Sequence, residues 1–277
     1  MFKSFKTHMS VICSRPGFML TFIGLLAWTF YILVCNVMKY KGTDISNMIN
    51  PVELMTFGEG GKFHWYFVQF YPFLAVIPAA FSIMTDSITG ELPNIIYRSG
   101  TARYYISKQL AVFAATFICF AVPFIIEMAA NFIVFPKEAM GNLYGYELYD
   151  SNYDSIFQYP FIYFYANNRV VFQLSYIGIT SALAGLLAVF ASSVSVFLKR
   201  FRAIVFIPAY LILAMAGRIG NAFDDMEIRV KFQYGNYITS CSTGFNQGNY
   251  IYLLAAAAIL LALSIGFTVS KIKRDCI

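Results

Sequence analysis

Long apolar runs, separated by short breaks that carry most of the charge, dominate this chain. The longest, 105–135, holds only two charged residues, Lys108 and Glu127. A helix needs about 20 apolar residues to cross the hydrocarbon core of a bilayer, and runs of that kind recur at 18–38, 63–84, 169–198 and 250–270, with a shorter one at 203–217. Charged residues make up 12% of the 277 residues and hydrophobic ones 59%, where soluble domains carry about 25% charged residues. The pattern predicts an all-α membrane protein of six transmembrane helices, folded as one domain over 1–277.

Segment 1–16 sets Phe2, Phe5, Met9 and Ile12 at helical spacing with Lys3 and Lys6 elsewhere on the wheel, which predicts an interfacial helix with His8 exposed. The first apolar run is too long for a signal peptide and lacks a small-residue cleavage pattern. Outer loops are expected at 39–62, 136–168 and 218–248. The run at 63–84 holds Pro72 and Pro78, which remove backbone donors and predict a kink, either simple curvature or a hinge. Small residues from Gly178 through Gly185 to Ser195 predict close helix packing. Glu127 falls about 33 Å along its helix from Tyr105, near the outer interface. It either is structural, snorkelling to that interface included, or faces a cavity and touches substrate or a lateral partner.

Orientation follows from charge. Twelve of the 20 basic residues sit in the N-terminus, in 98–108, in the turn at 199–202 and in the tail. The positive-inside rule puts these segments, and so both termini, in the cytoplasm. The clusters are short and juxtamembrane, which suits lipid and gives no footing for nucleic acid.

Catalytic signatures are missing. Gly58-Glu59-Gly60-Gly61-Lys62 fails as a phosphate loop because Thr56 and Phe63 stand where glycine and Ser/Thr are needed, so it reads as a flexible turn. Two histidines and five scattered cysteines offer no metal spacing, and the sequence leaves open whether Cys35 and Cys241, both expected toward the outer face, pair. No enzyme is expected, and no cofactor on this chain.

The stretch 86–108 is the least ordinary. Gly90 ends the preceding run, Pro93 suits the first turn of a new helix, Ser99-Gly100 closes it, and Thr101 is positioned to cap the next. Leu92, Ile95, Ile96 and Ser99 form an apolar stripe, with Glu91, Asn94 and Arg98 polar. Such a stripe rests on lipid or fills a groove on a partner. With Asp86, Gly90, Glu91, Ser99, Gly100, Thr101, Arg103, Tyr104 and Lys108, the stretch resembles the coupling-helix region of ABC-2-type permeases, the membrane subunits of ATP-binding cassette exporters. Ser99-Gly100-Thr101 departs from the Ser-Pro that many members carry before the arginine.

The resemblance implies a cytoplasmic coupling loop at 86–103 that docks an ATPase subunit through Glu91, Leu92, Ile95, Ile96, Arg98, Ser99 and Arg103. It also implies a second permease copy or paralogue, a broken outer hairpin between the last two spans, and ATP and Mg bound on the partner chain. The expected activity is export of an amphipathic or hydrophobic peptide, drug or lipid-like compound across a bacterial plasma membrane. An energy-independent channel or secondary carrier, and a membrane immunity or scaffold protein, are the rival readings. A carrier of that kind is expected to show intramembrane charges or matched broken helices.

Overall fold

The computed structural model describes residues 2–45, 48–51, 54–58, 64–136, 168–197, 202–225, 229, 231–239 and 250–275. Among them the chain is all-helical with no strand. In order the helices are α1 (Phe2–Cys13), α2 (Pro16–Tyr40), α3 (His64–Val76), α4 (Ser82–Ile88), α5 (Leu92–Ser99), α6 (Thr101–Val134), α7 (Arg169–Ser195), α8 (Phe206–Asn221), α9 (Gly235–Ile238) and α10 (Tyr250–Asp275). Four stretches are long and apolar enough to cross a membrane: Pro16–Tyr40, Thr101–Val134, Val170–Ser195 and Ile251–Arg274. The chain is therefore a helical transmembrane protein.

The other two apolar runs differ from the expectation of simple spans. The run at 63–84 is divided: α3 ends at Val76, a turn carries Pro78, and α4 begins at Ser82. Pro72 is tolerated inside α3, so the break falls at the second proline, which disfavours helical backbone at the residue before it. Helix α8 has 16 residues, short for a crossing. The outer loop at 136–168 lies almost wholly outside the described residues, as does the basic turn at 199–201.

Helix α6 is the axis. It packs along α7, α1 and α2, while α7 also receives α10, α3 and α8. The small residues of α7 make this possible: Ala184 and Ala188 are fully buried, and a Cβ on Gly185 would stand 2.8 Å from the Phe113 ring and 3.2 Å from the Phe113 carbonyl. In a bilayer, apolar side chains gain nothing by leaving lipid, so such close backbone approach carries helix association. The lipid side is correspondingly apolar, with Leu20, Phe30, Ile133 and Ile251 all more than 60% exposed.

Part of the segment 39–62 turns inward, while the turn read at 58–62 lies, but for Gly58, outside the described residues. Leu54, Met55, Thr56 and Phe57 are fully buried, and Phe57 packs its ring on Phe67 and Phe124. Part of the 218–248 segment also turns inward. Asn236, Tyr237 and Ile238 of α9 are buried, and the Thr180 hydroxyl donates to the Ile238 carbonyl at 3.2 Å. Cys35 is a free thiol, and Cys241 lies outside the described residues.

The close α6–α7 approach makes a prediction. Gly185→Ala should destabilise the detergent-purified chain by about 1–3 kcal/mol through overpacking, read as a lowered Tm. Adding Phe113→Leu should recover part of the loss. A Gly185→Ala variant with unchanged Tm would show that the two helices are free to separate.

Candidate functional site

Two polar clusters stand at opposite ends of α6. The first is built on Asp86, in the last turns of α4 and 3% exposed. Its Oδ2 accepts from Lys108 Nζ at 2.6 Å and from the Tyr104 hydroxyl at 2.7 Å, and its Oδ1 accepts from Arg15 at 2.8 Å. Tyr104 and Lys108 are one turn apart on α6, so their side chains share a face, and Arg15 lies in the break between α1 and α2. One carboxylate thus joins three separate segments.

Burial works to raise the Asp86 pKa, and the attraction of Lys108 with the bonds from Lys108, Tyr104 and Arg15 outweighs it, so the carboxyl lies below its ordinary value. His8 is buried, contrary to the exposed interfacial position expected of it, with its ring edge-on to Tyr104 at 5.4 Å. Burial, aided by the nearby Lys108 charge and opposed by Asp86, lowers its pKa to about 4 and keeps it neutral at pH 7. The Ser4 and Ser107 hydroxyls, 3.0 Å apart, complete the seam between α1 and α6.

Helix α5 hangs from this joint. Glycines with positive φ bracket it, Gly90 at 72° and Gly100 at 81°, a backbone region open to glycine at little cost. Gly100, not Thr101, is the N-cap of α6, and no side chain caps that helix. The apolar stripe faces inward: Leu92, Ile95 and Ile96 pack half-buried on Ile83, Tyr104 and Tyr105. Ser99 spends its hydroxyl on the Ile95 carbonyl at 2.7 Å. Glu91, Asn94 and Arg98 are exposed, as is Arg103 at the start of α6. The outstanding outward residue is Tyr97, 94% exposed.

Tyr97 was passed over in the sequence because it falls outside the apolar stripe. An aromatic on the polar face of a short amphipathic helix is the signal that marks it. The structure brings the stripe residues together, half-buried against the chain's own core.

The second cluster holds Glu127, which is 2% exposed. It does not snorkel. Thr56 donates its backbone N–H at 2.7 Å and its hydroxyl at 2.8 Å to Glu127 Oε1, and Asn131 donates to the Glu127 carbonyl at 3.1 Å. Asn36 on α2 donates to the Leu54 carbonyl at 2.8 Å. A glutamate and an asparagine from two spans therefore clamp the buried loop 54–57, whose backbone groups have no regular partner at that depth. The carboxylate has no ion pair among the described residues.

No group of metal-ligating side chains occurs among the described residues. No family model, no curated protein and no solved structure matches the chain.

The Glu127 clamp is testable. Glu127→Gln keeps a carbonyl acceptor for Thr56 and should stay close to wild type in Tm. Glu127→Leu leaves the buried Thr56 N–H unsatisfied and should lose about 1–3 kcal/mol. A Gln variant as unstable as the Leu variant would show that the charge, not the acceptor, is required.

Proposed function

We propose that this chain is the membrane subunit of an ATP-binding cassette exporter of the ABC-2 kind, with α5 as the element that meets a separate ATPase subunit. The observation that carries the reading is the form of α5. It is a discrete two-turn helix between apolar segments, anchored by its inner face to the chain's own helices, with Tyr97 outward at 94% exposure and Glu91, Asn94 and Arg98 around it. An exposed aromatic ringed by polar side chains is the composition of an interface hot spot.

The docking face is therefore Tyr97 with Glu91, Asn94, Arg98 and Arg103, while Leu92, Ile95, Ile96 and Ser99 hold α5 in place. A push on Tyr97 passes through that inner face to α4 and α6, and through Asp86 to the α1–α2 junction. ATP and Mg belong to the partner chain, and this chain performs no hydrolysis.

The substrate reading rests on a second surface. An apolar groove of about 450 Å³ between α2 and α3 is lined by Trp28, Tyr66, Phe67, Phe70 and Phe73. Beside it Phe73 stacks on Tyr210 of α8 at 5.4 Å. Pairing with a second copy or a paralogue across α3 and α8 encloses an aromatic, uncharged path suited to an amphipathic or hydrophobic substrate such as a peptide, drug or lipid-like compound. In this reading the chain makes six crossings of a bacterial plasma membrane, α3 with α4 and α8 being the two irregular ones, with both termini cytoplasmic. Glu127 serves the outer loop rather than the substrate.

The test is co-purification of the tagged chain with the ATPase from its native membrane. Tyr97→Ala should reduce the ATPase recovered about thirtyfold, a hot-spot loss of about 2 kcal/mol, while insertion and Tm stay unchanged. Recovery of a full complement with Tyr97→Ala, or of no ATPase with the wild-type chain, would overturn the reading.

A further inference from the structure

A second intramembrane groove, of about 570 Å³, runs between α6, α7 and α10. Its walls are Leu110, Phe113, Val189, Leu261, Ile265 and Val269, and its end toward the tail is marked by Ile106 and Ile272. Ile272 also packs against the cluster that seats α5, so this end opens at the level of the α5 joint. One polar strip crosses the groove. Gln109 Nε2 donates to Ser193 Oγ at 3.0 Å, and Ser193 meets Thr268 at 3.3 Å. Gln109 Oε1 is buried there without a hydrogen-bond partner among the described residues.

The open end is basic. Arg103 lies one turn before Ile106 on α6, exposed. On α10, Lys271 follows Thr268 by three positions and Lys273 follows Val269 by four, so both flank the Ile272 row. Arg103 and Lys273 are exposed there, while Arg274 is turned away over the Phe197 ring at 5.7 Å.

We infer that this groove is a binding site for one anionic phospholipid, its acyl chains against α6 and α10 and its phosphate held by Arg103 and Lys273. Charge selects lipid over a helix from a second copy, since a symmetric contact between copies would bring the same Arg103 and Lys273 face to face. Juxtamembrane Lys and Arg attract anionic headgroups, each contributing at the headgroup level. The inference needs only that the chain sits in a membrane and is independent of any ATPase.

Native mass spectrometry of the full purified chain tests it, with phosphatidylglycerol and phosphatidylcholine of identical acyl chains as probes. Wild type should retain one phosphatidylglycerol at least tenfold more tightly than phosphatidylcholine. Arg103→Gln with Lys273→Gln, both at exposed positions, should erase that preference. Ile265→Trp should fill the groove and weaken both lipids, and Ile133→Trp, on another lipid-exposed position, should weaken neither. Equal retention of the two lipids by wild type, a preference that survives the double substitution, or tight retention in Ile265→Trp would overturn the site. So would disulfide formation between two copies carrying Ile265→Cys, which would give the groove to a neighbouring chain.

Discussion

A lysine 1% exposed and an aspartate 3% exposed are tolerable together and costly apart. The Lys108–Asp86 pair at 2.6 Å, with Arg15 and Tyr104 completing the shell of the carboxylate, is the contact on which the basic end of this structure depends. The four residues come from three segments, so satisfying the charge requires that the α1–α2 junction, the end of α4 and the first turns of α6 meet at one point. Lipid offers no hydrophobic drive to gather them. Charge and small-residue packing do it instead, and α5 inherits its position from the result.

The opposite end is fixed by the same economy with different groups. There the polar burden is backbone, the loop 54–57 tucked beneath Phe67 and Phe124, and a carboxylate with an asparagine satisfies it. Asp86 and Glu127 are both acids on a buried seam. Asp86 is matched by cations and so ties helices together, whereas Glu127 is matched by N–H and O–H donors and so ties a loop to a helix. The separation of their two clusters along α6 assigns a structural role to each end of one rigid element.

Much of the architecture was legible in hydropathy, because a bilayer forces the backbone to satisfy itself and leaves helices as the simplest solution. The two apolar runs that proved irregular announced themselves through Pro78 and through the short run before Arg218. The bounds of α5 were legible from Gly90, Pro93 and Gly100, since these residues act through local backbone geometry. Which way α5 faces was not. An apolar stripe reads identically whether a partner or the chain's own core covers it, and only the position of Tyr104 and Tyr105 decides. The burial of His8, and the choice between a structural and a cavity-facing Glu127, were hidden for the same reason. Burial of a single polar residue depends on partners 96 or 71 positions away, Tyr104 for one and Thr56 for the other, and no local pattern encodes them.

The most direct test of this account is a double-mutant cycle on the buried pair, read by thermal unfolding in detergent. Asp86→Asn and Lys108→Met should each cost about 3–5 kcal/mol, because each leaves its partner uncompensated. The double variant should recover most of that loss, since a methionine can pack where the lysine stem lies. Additive losses in the double variant would contradict the account, showing that the two side chains act separately and that the joint is held by something else.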